Sequence, residues 1–250
     1  MPSIFLYTIL SVILVSLISF IGMFALLIKI KNLNKILIYL VSFAAGALLG
    51  DAFIHLIPQL IEKTDFSLIT SLYILSGIGI FFILEKFIHW QHCHRNITEK
   101  NHVHPFAYTN LIGDALHNFI DGVIIAGSYI SSMTLGIATT IAVVLHEIPQ
   151  EIGDLGILLH GGFSKSKALA LNFLTAITAL IGALTAFILE KFIPNIELFL
   201  ISLAIGSFIY IAGSDLIPEL HKETNVKKSL LQLVSLILGM LIMTFLLLLE

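Results

Sequence analysis

Eight stretches of the sequence, roughly 4–28, 36–61, 67–88, 106–130, 133–160, 166–190, 196–220 and 229–249, are predominantly apolar for about twenty residues or more. A helix needs about that length to cross the hydrocarbon core of a bilayer. In that core only helices and closed barrels can satisfy their own backbone groups. The pattern predicts an all-α polytopic membrane protein with eight transmembrane helices, a single transmembrane domain over residues 1–250. Composition agrees, with 58% hydrophobic and 12% charged residues, against roughly 25% charged in a soluble domain. So little charge cannot coat a water-facing surface, which excludes a soluble enzyme. The 13 Lys and Arg against 16 Asp and Glu leave no basic footprint for nucleic acid. The first run has too long an apolar core, and no basic leader, for a cleavable signal peptide. With no targeting extension, a bacterial or archaeal plasma membrane is the expected location.

Basic residues fall on one side of the alternating spans. Lys29, Lys31, Lys35, Lys86, Arg95, Lys100, Lys165, Lys167, Lys222, Lys227 and Lys228 share that side, and only Lys63 and Lys191 lie on the other. The positive-inside rule makes the first side cytoplasmic and places both termini outside. Residues 40–60 also align without gaps onto 200–220, with nine identities, among them Gly46 with Gly206 and Pro58 with Pro218. On this count the first segment runs outward and the second inward. Spans 1–3 and 6–8 are thereby expected to form an inverted repeat around spans 4–5, an arrangement of transporters whose sites lie near the membrane midplane.

The acids are where they should not be. Asp51, Asp114, Asp121, Glu147, Glu151, Asp154 and Asp215 fall inside the spans, with Glu219 near an end, and no intramembrane Lys or Arg accompanies them. Each carboxylate at a helix centre costs about 2.5–3.5 kcal/mol on the insertion scale. A protonated acid bonded to a neighbouring helix accounts for one or two, not for this number; a wet cavity or mobile cations account for the set. Span 4 reads GDALHNFIDG, so Asp114, His117, Asn118 and Asp121 fall within an arc of roughly 100°. Span 5 reads HEIPQEIGD, which sets His146 above Gln150 and Glu147 above Glu151 in adjacent rows, with Asp154 beyond. Two such faces turned together supply ligands for two metal ions. Imidazole with carboxylate suits zinc and its first-row neighbours. Pro149 loosens the backbone before His146, and Gly113, Gly122 and Gly153 permit close helix approach.

At these residues the chain resembles the ZIP (Zrt/Irt-like) family of divalent-metal transporters, in the branch with the HEIPHE-type signature. The likeness rests on His117–Gly122, on His146–Glu151, on GDLGILLHGGFSKSKALALNFLTA after span 5, on GDAFIHLIP in span 2 and on YIAGSDLIPEL in span 7. It implies a binuclear site between spans 4 and 5. His117, Asp121, His146 and Gln150 match the first metal's ligands; Asn118, Asp121, Glu147 and Gln150 match the second's, with Glu151 adjoining. It further implies uptake toward the cytoplasm by elevator-like alternating access, with Asp51, His55, Asp114, Asp154, Asp215 and Glu219 along the pathway, and a homodimer. The family pattern has His or Glu where this chain has Gln150. A neutral amide is a poorer zinc ligand than imidazole, so Fe²⁺, Mn²⁺ or Cd²⁺ join Zn²⁺ as expected cargo; the metal is substrate, and no cofactor is expected.

The 89–105 segment between spans 3 and 4 holds His89, His92, Cys93, His94, His102 and His104, either a loose metal relay or a solvated polar loop. Glu85, Lys86, Trp90 and Lys191 are read as marks of the membrane interface. Two rival functions remain. An intramembrane zinc metalloprotease would use HExxH on a helix, but positions 146–150 read HEIPQ and lack the second His. A divalent-cation channel would conduct continuously where a carrier saturates.

Overall fold

The computed structural model describes residues 2–25, 30–64, 67–89 and 105–246. The His and Cys residues of the 89–105 segment lie outside the side chains described. Among the described residues every regular element is helical: α1 (Pro2–Ile18), α2 (Ile21–Ala25), α3 (Ile30–Gly50), α4 (Ile57–Thr64), α5 (Leu68–His89), α6 (Pro105–Ser131), α7 (Met133–His160), α8 (Lys165–Ala176), α9 (Thr178–Phe192), α10 (Ile196–Tyr210), α11 (Ile217–Leu220) and α12 (Val226–Leu246). Two π-helical segments, Asp51–Leu56 and Ile211–Leu216, join α3 to α4 and α10 to α11. Six helical runs are long and apolar enough to cross a membrane: Ser3–Met23, Leu37–Thr64, Leu68–Lys86, Lys165–Phe192, Ile196–Leu220 and Val226–Leu246. α6 and α7, with 27 and 28 residues, are as long, but five acids divide between them.

The π segments have a common cause. Pro58 and Pro218 each stand two residues past one, and a proline offers no N–H and crowds the carbonyl four residues back. The chain widens instead: Ile57 N–H bonds to Ala52 O and Ile217 N–H to Ala212 O, both spanning five residues. The segments start 160 residues apart, the offset at which the sequence aligns with itself.

Helix contacts recur at related positions. α3 lies along α12, and α10 along α5. A Cβ at Gly46 would stand 2.0 Å from the Leu236 carbonyl oxygen, and one at Gly239 would stand 2.1 Å from that of Phe43. In the other pair, Gly206 would meet the Ile74 oxygen at 2.3 Å and Gly77 the Leu203 oxygen at 2.8 Å. Neither pair of backbones could approach so closely with any larger residue at these points. α6 packs on α9 in the same manner, Gly122 against Ala179 and Gly182 against Phe119. Gly122 thus serves the back of α6 and not the face bearing His117, whereas Gly153 has nothing within 4 Å of its Cβ position and opens onto a cavity.

α6 and α7 form a hairpin. Ser132 is extended, and its hydroxyl accepts the Leu135 N–H at 3.1 Å, which caps α7 and reverses the chain in one residue. α7 runs unbroken through Pro149 and ends at Gly161–Gly162, where Gly162 takes a φ of 98°. The antiparallel pair sets the middle of α6 against the middle of α7, which is where the motifs lie.

Candidate metal site

His117 and Asp121 stand one turn apart on α6; His146 and Glu147 are neighbours on α7. The hairpin brings all four together, each with a ligand atom within 4.8 Å of the others. The Nε2 atoms of His117 and His146 face each other at 3.3 Å. Asp121 Oδ2 lies 3.7 Å from the first and 3.3 Å from the second; Glu147 Oε1 lies at 3.6 Å and 3.5 Å. A tetrahedral ion with ligands near 2.0–2.1 Å has edges of about 3.3–3.4 Å. The spacings are therefore those of a four-coordinate cation site.

Burial sharpens the point. Asp121 and Glu147 are fully buried and His146 nearly so, while His117 is partly open. Among the described residues no hydrogen bond reaches either carboxylate oxygen of Asp121 or Glu147. A carboxylate held away from water without a donor costs several kcal/mol, and among the described residues no Lys or Arg forms an ion pair with either acid. A cation shared by both acids and both imidazoles meets that cost. Phe81 of α5 sets its edge on His117, with ring centroids 5.6 Å apart, and Phe208 of α10 stands behind His146 at 6.3 Å.

The site lies at the floor of a cavity of about 510 Å³. Its walls come from the first half of α6 (Asn110, Gly113, Asp114, His117), the second half of α7 (His146, Gln150, Gly153, Asp154) and the end of the α10–α11 run (Ile211, Asp215, Glu219), with Val41 and Glu85. Asp215 and Glu219 are exposed at the mouth. Every wall thus belongs to the end of the bundle that holds the α7–α8 and α11–α12 turns.

Several residues singled out in the sequence lie elsewhere. Gln150 lines the cavity beside the four-group cluster. Asn118 donates its amide to Asp114 Oδ1 at 2.8 Å, and its own Oδ1 is buried without a hydrogen bond. Glu151 is not in the cluster: it is buried at 1% exposure and takes a hydrogen bond from Asn172 of α8. Asp114 takes a second bond from Thr175, and Asp154 takes one from Asn110 at 2.9 Å. Asp51 and His55 do not line the cavity. Asp51 accepts from Thr139 Oγ1 at 3.0 Å, and His55 Nε2 pairs with the Met243 carbonyl at 2.8 Å.

Some contributors were not legible as such. Glu85, read as an interface residue, lines the cavity and takes the Tyr210 hydroxyl bond. Asn172 and Thr175 carried the same signal as the acids, polar groups within an apolar run, but in weaker form.

Comparison with known proteins agrees with the resemblance. The family model described as "ZIP Zinc transporter" matches residues 5–107 and 90–247. "Zinc transporter ZIP13" of Pongo abelii is 33% identical over 218 residues, covering 82% of this chain and 65% of that protein. "Zinc transporter SLC39A7" of Homo sapiens is 29% identical over 297 residues, covering 84% and 63%, and the "Zinc transporter ZIP13 homolog" of Drosophila melanogaster is 30% identical over 273 residues, covering 84% and 77%. The chain therefore spans just under two thirds of the length of the first two relatives.

Proposed function

The chain belongs to the ZIP zinc transporter family, a family of transporters and not of enzymes, and from that premise we propose that it carries Zn²⁺ across a membrane toward the cytoplasm through the His117, Asp121, His146 and Glu147 site. The observation that carries the reading is the cluster itself, three buried ligand groups and the partly buried His117 at tetrahedral spacing, with both acids lacking any other partner among the described residues. His117, Asp121 and His146 hold the first ion, with Gln150 within the same cavity; Glu147 joins them in this conformation. The second oxygens of Asp121 and Glu147, with Asn118 Oδ1, are all buried without hydrogen bonds, which supports a second ion sharing the same acids. Gln150 as a neutral amide widens the cargo to Fe²⁺, Mn²⁺ and Cd²⁺.

α6 and α7 complete eight membrane crossings. Their length supports this, as does the way their acids turn inward instead of toward lipid. The paired π segments and the recurring glycine contacts support an inverted repeat of spans 1–3 and 6–8 around α6 and α7. Lys86, Lys165, Lys167, Lys222, Lys227 and Lys228 lie at the end to which the cavity opens; by the positive-inside rule this supports an inward-facing conformation with the ends of spans 1 and 8 outside. Movement of the α6–α7 hairpin against the α3 and α10 runs then alternates access.

The metalloprotease reading loses ground on geometry, because Glu147 stands among the ligand atoms rather than beyond them where a general base would act on water. The test is uptake into liposomes loaded with a metal-sensitive dye. Saturable Zn²⁺ uptake that disappears in a folded His117→Ala/Asp121→Ala variant is expected. Unchanged uptake in that variant overturns the site, and unsaturable conductance overturns the carrier.

A further inference from the structure

Glu147 and Glu151 occupy one row of α7, a turn apart, so regular helix geometry sends both carboxylates the same way. Only one arrives. Glu147 stands in the four-group cluster and Glu151 does not. Glu151 instead meets Asn172, a fully buried residue of α8 whose amide Nδ2 donates to Glu151 Oε2. Among the described residues this is the one bond that either side chain makes, for Glu151 Oε1 and Asn172 Oδ1 are both buried without a partner. A bond made only to satisfy a buried acid would leave fewer loose ends. One amide bonds a carboxylate that retains a spare oxygen, a turn away from a site built from carboxylates.

We propose that Asn172 is a positioning residue that keeps Glu151 out of the metal's ligand set and thereby sets which divalent cation the site prefers. This rests on the metal-transport reading above and deepens it. Two imidazoles with two carboxylates form a mixed nitrogen and oxygen set of the kind zinc favours. A third carboxylate makes the set richer in oxygen and charge, which suits Mn²⁺ and resembles the environments of harder ions. Release of Glu151 therefore moves preference from Zn²⁺ toward Mn²⁺. Asp114, by contrast, takes bonds from both Thr175 and Asn118, so losing either leaves it held, whereas among the described residues Asn172 is the one donor to Glu151.

The test compares Zn²⁺ and Mn²⁺ in two ways, by calorimetric binding to purified protein and by competitive uptake into liposomes. In Asn172→Leu the Zn²⁺ to Mn²⁺ affinity ratio is expected to fall about 10–100-fold, the size typical of residues that orient metal ligands. In Asn172→Leu/Glu151→Gln, where the freed group is no longer a carboxylate, the wild-type ranking of the metals returns. Asn172→Ser, too short to reach Glu151 yet still polar, gives the same ratio by an independent route where Asn172→Leu fails to fold. Equal loss of both metals, or a folded variant that ranks them as wild type does, overturns the proposal. The parent reading has its own failure, a wild-type protein and a His117→Ala/Asp121→Ala variant that bind metal alike.

Discussion

The π segment at Asp51–Leu56 and its counterpart at Ile211–Leu216 share a cause, a proline two residues on, yet they meet opposite surroundings. In the first, His55 is 3% exposed and paired with the Met243 carbonyl of α12. The residue 160 positions later is Asp215, exposed at the cavity mouth. Gln59 donates to Ser131 at 3.2 Å, across to the α6–α7 turn, whereas its counterpart Glu219 is exposed and pairs with Lys222 one turn on. One related pair of positions separates the two environments most plainly. Gly50 lets α12 approach until a Cβ there would lie 2.9 Å from that of Met243; its counterpart Tyr210 fills the same place with a ring and reaches Glu85 of α5. Similar backbones thus carry a sealed end and an open end, and the difference lies in side chains. Under the alternating access proposed above, these roles exchange.

The largest expected effect comes from preventing that exchange. Gln59→Cys with Ser131→Cys, in a Cys93→Ser background, places two thiols at a contact that closes the sealed end. A short bifunctional thiol reagent is expected to abolish metal uptake, and a cleavable version to restore it on reduction. Full uptake by the cross-linked protein would show that the sealed end never opens, and the comparison would lose its meaning.

The sequence made part of this contrast readable and hid the rest. The apolar runs and the two polar faces are local properties, set by hydrophobic length and helical period, so α7 lies where the sequence puts it, 133–160 against Met133–His160, whereas 166–190 divides into α8 and α9 and 36–61 into α3, a π segment and α4. His117, Asp121, His146 and Glu147 were legible because charge inside a span has no cheap structural use. Which acids meet was not legible. Glu151 has the same helical heading as Glu147, and only the fold places Asn172 beside it. The state of the cavity was hidden for a like reason, since His55 and Asp215 hold equivalent places along the chain while one lies against the Met243 carbonyl and the other in the mouth.

Smaller effects follow from the packing that separates the ends. Gly50→Leu forces α3 from α12 against Met243, and overpacking of this kind costs about 1–3 kcal/mol. For a chain of this size that lowers Tm by about 2–10 °C, read by thermal unfolding in detergent. Tyr210→Phe removes the hydroxyl that bonds Glu85, a hydrogen bond worth about 1 kcal/mol, and is expected to slow uptake severalfold with a smaller change in Tm. If Gly50→Leu proved the milder of the two for stability, close approach at the sealed end would not be what distinguishes it.

The smallest effects belong to the turns. Lys63 donates to Ser131 at 2.9 Å, from one end of the bundle's helices across to the α6–α7 connection. Its counterpart Glu223 bonds within its own turn, to Lys228 at 2.7 Å and to the Asn225 N–H at 2.9 Å. Lys63→Ala is expected to raise labelling of a reporter Leu60→Cys by an impermeant maleimide about two- to tenfold, the range of one modest hydrogen bond, because the contact it loses joins two parts that move against each other in the proposed mechanism. Glu223→Gln loses a contact that spans none, and uptake should be unchanged. Its signature lies in pH instead. The Lys228 ammonium, and after it the Asn225 N–H, hold the Glu223 carboxyl below its ordinary value of 4.5. A carboxylate depressed in the folded state stabilises above its unfolded pKa and loses that stabilisation as pH falls through the folded value. The Tm of wild type should therefore exceed that of Glu223→Gln slightly at pH 7, and the gap should close below about pH 4.5. An uptake defect in Glu223→Gln at pH 7 would mean that the open end is latched as the sealed end is, and that the two differ less than their contacts indicate.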